Sequence, residues 1–257
     1  MDFNNALWIL GIFAEAIVVF MLLYRGTWRS LKIFTFYCVW DLAVNSLVLP
    51  IGSHAGSHFR QIYLVVVVFD TALVFSVLTE IAWSVLRPIH GFLPRRVPFF
   101  IALLFLLLGV LIWPITAVNG MGKFNDLIIH IQQTSSLLRI VVFIILAALS
   151  QLLSLGWRDR ELQVATGLGF YSLVSFGAML IHTHQATVFQ YSSLNELVVA
   201  SYLCSLLYWV YSFAQKEAER REFTPQMQNV LLAMAGVARE QRLALAQAAL
   251  ERRQSKA

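Results

Sequence analysis

Long apolar runs separated by short polar links organise this chain. Seven segments have the roughly 20 mostly apolar residues that a helix needs to cross a bilayer. They are Leu7–Tyr24, Ile33–Ile51, Ile62–Leu86, Val97–Val118, Leu127–Leu155, Leu162–Ile181 and Leu194–Phe213. An open sheet edge has no partner in lipid, and barrel strands are short and alternating. The pattern therefore predicts an all-α polytopic membrane protein with seven transmembrane helices.

The punctuation agrees with these boundaries. Pro50 follows the second run, Pro94 and Pro98 bracket the start of the fourth, and Pro114 lies near its far end. Asn119-Gly120 and Gly122 read as a turn. Ser193-Leu194-Asn195-Glu196 has the S-x-x-E form of a capping box and predicts the start of the seventh helix there. The first three and last three spans have similar lengths, a basic inner loop and an outer link with histidine. This layout hints at a three-plus-one-plus-three duplication, which would put a binding site between the repeats.

Basic residues set the orientation. One set of short loops carries Arg25, Arg29, Lys32, Arg87, Arg95, Arg96, Arg158 and Arg160, whereas the alternate set carries Arg60 and Lys123. Positive loops stay on the cytoplasmic side, so the N-terminus is expected outside and the C-terminus inside. Residues 1–216 form the expected transmembrane domain and residues 217–257 a cytoplasmic tail. In the tail, Thr224-Pro225 caps a helix on which Met227, Val230, Leu231, Met234 and Val237 recur ahead of Arg239, Arg242, Arg252 and Arg253. Such an amphipathic helix lies on an anionic inner leaflet or pairs with a partner helix, a second copy of the chain included.

Composition narrows the class further. Hydrophobic residues make up 59% of the chain and charged residues 13%, with a net charge of +5. The arginines punctuate apolar runs, which is loop patterning and argues against nucleic acid as a partner. The opening Met-Asp-Phe-Asn-Asn lacks a basic n-region, so the first run is expected to remain as a helix. Cys38 and Cys204 both fall inside spans, where a buried thiol is a small hydrophobe. The expected setting is a bacterial inner membrane or an equivalent one.

Five ionisable groups fall within the spans: Glu15, Asp41, Asp70, Glu80 and Arg139. A charge at mid-bilayer costs about 3 kcal/mol, while each Leu, Ile, Phe or Val returns about 0.5 kcal/mol. One span carries one such acid easily, but several acids in the first three spans imply a shared polar interior. Asp41 and Asn45 lie four apart on one helical face. For Asp41 and Asp70 two roles stand side by side, a functional site and interhelical polar contacts. Glu80 is expected to reach the inner interface and pair with Arg87 or Arg25. Arg139 follows a polar stretch containing His130, Gln132, Gln133, Ser135 and Ser136. It either snorkels to the outer headgroups or serves a wet vestibule as counter-ion to an acid or an anionic ligand.

Histidines cluster toward the outer side. His54 and His58 are four apart and His182-Thr183-His184 lies in another outer link, with Asp126 and Glu196 expected nearby. A zinc site, a pH switch and solvated loop residues are the three readings. Thr166, Gly167, Gly169, Ser172, Ser175 and Gly177 in the sixth span predict close helix packing. Tyr202, Tyr208, Trp209 and Tyr211 in the seventh predict an aromatic belt or a cavity wall. The seventh span has no lysine for a retinal Schiff base. The chain has no nucleophile elbow, no HExxH and no nucleotide-binding motif, so no cofactor is assigned.

Two resemblances bear on function. The span plan resembles the sugar-transporter and PQ-loop group of carriers, although the one Pro-Gln pair, Pro225-Gln226, is in the tail. Trp40-Asp41 with Pro50, Asp70, and Ser150-Gln151-Leu152-Leu153-Ser154 resemble features of small integral-membrane terpenoid cyclases. That resemblance implies Asp41 as a protonated acid acting on an epoxide or alkene in an apolar pocket. The helix-seven acid of that family has no counterpart in the last span's core, where Glu196 stands at the mouth. The leading expectation is a carrier or sensor that binds a small molecule or ion through Asp41, Asn45, Asp70, Glu15 and Arg139. A cyclase-like enzyme using Asp41 and Asp70, and a structural membrane subunit, are the alternatives.

Overall fold

The computed structural model describes residues 3–52, 59–85, 96–116, 123–149, 159–185 and 188–215. Among these residues there is no strand. The helices are α1 (Phe3–Tyr24), α2 (Lys32–Gly52), α3 (Phe59–Val85), α4 (Val97–Ile112), α5 (Lys123–Leu149), α6 (Arg160–Gln185) and α7 (Val188–Ala214). Short 3₁₀ turns follow α1 at Thr27–Arg29 and α4 at Trp113–Thr116. The expected tail helix, His54, His58, Arg87 and Ser150–Ser154 lie outside the described residues.

Six helical stretches are long and apolar enough to cross a membrane: Ala6–Tyr24, Gln61–Val85, Val97–Thr116, Leu127–Ala148, Arg160–Ile181 and Leu194–Ala214. The chain is accordingly a multi-pass membrane protein. Large apolar side chains turn outward all round the bundle, among them Phe13, Phe20, Val65, Leu107, Leu173 and Tyr211. Such a surface suits acyl chains, not water.

Six of the helices close into a ring in the order α1, α2, α3, α5, α6, α7, with α7 returning to pack on α1. Helix α4 stands outside, packed on α3 and α5. Its sequence, VPFFIALLFLLLGVLI, has no polar face to turn inward, and a helix apolar all round belongs in lipid. Pro114 ends its α-helical hydrogen bonding because proline has no N–H to donate. The last turn therefore tightens to 3₁₀.

Two boundaries differ from expectation. Helix α7 begins at Val188, so Ser193-Leu194-Asn195-Glu196 lies inside it and is not a cap. Glu80 does not pair with Arg25, and Arg87 lies outside the described residues. Its two carboxylate oxygens accept the backbone N–H groups of Ile33 at 3.0 Å and Phe34 at 2.9 Å. The first amides of a helix have no partner within it, and an acid there also suits the helix dipole. Arg25 instead donates to the carbonyl of Ala214. Arg160 donates to the carbonyls of Ser212 at 2.7 Å and Gln215 at 2.9 Å. Glu80 thus caps the start of α2, and two arginines cap the end of α7.

The same end of the bundle is the tightly packed one. Val18, Leu22, Leu31, Phe34, Val77, Ile81, Leu162 and Phe213 there are almost wholly buried. The small residues of α6 extend this packing, as their spacing predicts. A Cβ on Gly167 would lie 2.3 Å from Trp209 Nε1, and one on Gly169 2.6 Å from Phe143 Cγ. The missing side chains let α7 and α5 approach. Ser205 Oγ then donates to the Gly167 carbonyl at 3.0 Å. Gly177 has open space around it. Replacing Gly167 with Ala is expected to destabilise the protein in detergent by about 1–3 kcal/mol through overpacking. Gly177→Ala should leave the unfolding midpoint unchanged or raised, and equal effects of the two would contradict the packing account.

Candidate functional site

The other half of the ring is hollow. A cavity of about 740 Å³ lies among the N-terminal parts of α1, α3, α5 and α7, the middle of α2 and the C-terminal part of α6. Helix α4 contributes nothing to its wall. The exposed Asn195 and Tyr63 belong to the lining, so the cavity reaches the surface at that end. Its deep end is walled by Glu15, Asp41, Asp70, Arg139, Tyr171 and Tyr202. Glu15 of α1, Asp41 of α2 and Asp70 of α3 thus face one space within the bundle.

Two of these acids are joined by a tyrosine. Tyr202 Oη lies 2.7 Å from Glu15 Oε1 and 2.6 Å from Asp41 Oδ2. Asn45 Nδ2 donates to the same Glu15 oxygen at 2.7 Å. The four-residue spacing of Asp41 and Asn45 puts both on the face of α2 that meets α1 and α7. A phenol has one hydrogen to give, and two ionised carboxylates have none. Tyr202 can donate to one carboxyl only, and the other contact requires a proton on the second carboxyl. The pair Glu15 and Asp41 therefore holds at least one proton between them, with Tyr202 as the bridge.

Asp70 shares the cavity but not this network. It makes no hydrogen bond or ion pair with another described residue. Arg139 is 8% exposed, which overturns the expectation that it snorkels to the headgroups. The ring of α3, α5 and α6 encloses it, and the cavity provides the polar surroundings that lipid headgroups would have offered. Arg139 Nη2 donates to Ser136 Oγ at 3.3 Å, and its guanidinium lies 5.6 Å from the centre of the Tyr171 ring. A cation over an aromatic face is attracted by the ring quadrupole, but this does not complete the guanidinium's hydrogen bonds.

Three buried polar atoms on the wall have no hydrogen-bond partner in the protein: Trp8 Nε1, Glu15 Oε2 and Arg139 Nε. Buried polar groups are nearly always satisfied, and each exception calls for an explanation. Here all three border the same cavity, where water or a polar ligand completes them.

No family model, curated protein or solved structure matches this chain. Function therefore rests on the geometry alone.

Other residues singled out in the sequence are placed elsewhere or lie beyond description. His130 stacks on Trp113 at 3.9 Å between ring centres, and its Nε2 is 2.6 Å from the Trp113 carbonyl. It fastens α5 to the turn after α4. The side chains of His182 and His184 are outside the described part of α6. Among the described residues no group of three or more His, Cys, Asp or Glu side chains is arranged to hold a metal. The aromatic residues of α7 divide by face: Tyr202 enters the cavity wall, Trp209 packs edge-on to Phe34, and Tyr211 points outward. Tyr171 and Trp8 are site residues that the sequence does not single out, while Tyr202 realises the cavity-wall alternative read for the seventh span's aromatics. Only the position of Tyr202 on a helix opposite two acids carries any signal of its role.

Cysteine labelling tests the cavity directly. In a background with Cys38 and Cys204 replaced by Ala, Val44→Cys on the wall should react readily with a hydrophilic maleimide in detergent. Val77→Cys, 1% exposed in the wild-type position, should resist it. Equal reactivity would mean that the two halves are not packed differently.

Proposed function

We propose that this chain is a seven-span membrane protein that binds a small molecule in its acid-lined cavity, as a carrier or a sensor. Helix α2 supplies the seventh span: it lies in the ring between α1 and α3 and brings Tyr37, Asp41 and Asn45 to the cavity. The N-terminus is outside and the C-terminus cytoplasmic. This orientation is supported by Arg25, Arg29, Lys32, Arg96 and Arg160, which gather at the packed end, since basic ends stay in the cytoplasm. The cavity then opens outward, and the packed, capped end separates it from the cytoplasm. In a carrier this is the outward-facing form.

The observation that carries the proposal is the convergence of three unsatisfied buried atoms and a proton-sharing carboxyl pair on one hollow. Polar groups kept only to fasten helices would satisfy one another. These leave donors and an acceptor turned toward a volume that falls within the range of small-molecule sites.

One observation favours a second reading. A proton-bearing carboxyl pair at the wall of a cavity also lined by Trp8, Trp40 and Tyr37 is the equipment of a general acid. In a cyclase-like enzyme Glu15 and Tyr202 would take the part of the helix-seven acid that is absent here. Turnover of an isoprenoid epoxide to a cyclic product by the purified protein would establish it.

Asp41→Asn is the deciding variant because it removes a member of the proton-sharing pair while preserving shape. Small molecules that raise the unfolding temperature of the wild type should bind the variant about tenfold or more weakly, the loss expected for a charge-assisted hydrogen bond. Unchanged ligand binding, proton uptake and turnover in the variant would remove both readings.

A further inference from the structure

The pattern of satisfied and unsatisfied groups specifies the ligand's chemistry. On α5, Arg139 is more than nine-tenths buried and always charged. Its one hydrogen-bond partner among the described residues is a serine hydroxyl, and its Nε has none. On the neighbouring α3, Asp70 lines the same cavity and does not pair with it. On α1, Glu15 Oε2 is a buried acceptor without a donor. A buried charge lacking its counterpart is strongly unfavourable, and here opposite charges share one space without meeting.

We infer that the cavity takes a small zwitterion, with a primary ammonium group facing Asp70 and Glu15 and an anionic oxygen group on Arg139. This inference rests on the cavity being a ligand site, as proposed above. A bare anion would satisfy Arg139 but add a further negative charge among three carboxyl groups. A bare amine would suit the carboxylates and leave the guanidinium incomplete. A zwitterion completes both ends and brings no net charge into a low-dielectric interior. Glu15 Oε2 needs a hydrogen-bond donor, which a primary ammonium supplies and a quaternary one lacks. Trp8 Nε1 supplies a further donor to the anionic end or to a polar substituent.

The same chemistry occurs in a free amino acid and in an ethanolamine phospholipid headgroup, so the experiment separates them. Purified protein in phosphatidylglycerol nanodiscs is titrated by calorimetry with glycine, leucine, phenylalanine and γ-aminobutyrate. Isoamylamine and 4-methylpentanoate serve as leucine analogues lacking the carboxylate or the ammonium group. At least one zwitterion is expected to bind, and the two leucine analogues should bind about tenfold or more weakly than leucine where leucine is the one bound. Arg139→Gln should abolish the advantage of leucine over isoamylamine, and Arg139→Lys should restore part of it. Asp70→Asn should weaken the zwitterion and leave 4-methylpentanoate unaffected. If the site belongs to a lipid headgroup, the free compounds will not bind, and adding phosphatidylethanolamine to the nanodiscs will raise the unfolding temperature of the wild type but not of Arg139→Gln.

Three results would overturn the inference: an analogue bound as tightly as the zwitterion, insensitivity of the zwitterion to both Arg139 variants, or no response to any zwitterion, free or lipid. If an amine or an acid binds alone and Asp41→Asn weakens it, the ligand class is wrong while the cavity remains a binding site. If no compound of any class binds, the ligand-site reading fails with it.

Discussion

Glu15, Tyr202 and Asp41 form a contact that ties together three helices distant in sequence, α1, α7 and α2. Each carboxyl alone would be a liability of about 3 kcal/mol at mid-membrane. Hydrogen bonds to charged groups each contribute about 1.5–3 kcal/mol, so the contact offsets much of that cost when all members are in place. The one hydroxyl hydrogen forces the two carboxyls to keep a proton between them. The closure of α7 against α1 and the state of the acids are thus fixed by the same set of atoms.

The bundle uses its buried charges in two ways, and they separate along its length. At the packed end, Glu80, Arg25 and Arg160 complete backbone groups at the start of α2 and the end of α7. Those charges are consumed by structure, and the apolar core around Phe34 and Phe213 closes over that end. At the other end, Arg139, Asp70 and one oxygen of Glu15 remain incomplete and border a hollow. A protein selected only for stability would resolve these as it resolves Glu80. Helix α4, outside the ring and polar nowhere, serves the lipid face and leaves the cavity to the other six.

Much of the fold was legible in the sequence because hydrophobic runs report lipid exposure directly. The helical class, the apolar stretches and the close packing at Gly167 and Gly169 all follow from residue size and apolarity along one chain. The site was legible only in part. Asp41 and Asn45 share a face by their spacing, and that holds. Their partners Glu15 and Tyr202 come from other helices, and their meeting depends on the vertical register between α1, α2 and α7. No local pattern encodes that register. For Arg139 an apolar run alone does not separate a headgroup anchor from a vestibule residue, because the cavity that surrounds it is built by other helices. The capping role of Glu80 was not legible because the backbone amides of α2 are invisible in a pattern of side chains.

A double-mutant cycle on Glu15 and Asp41 tests the central contact most directly. Unfolding free energies of the wild type, Glu15→Gln, Asp41→Asn and the double variant are measured in one detergent mixture. Residues in one hydrogen-bond network are expected to couple by about 0.5–3 kcal/mol, so the double variant should depart from the sum of the single effects by that amount. Effects that add to within about 0.3 kcal/mol would mean that Tyr202 does not join the two acids, and the proton-sharing site would have no basis.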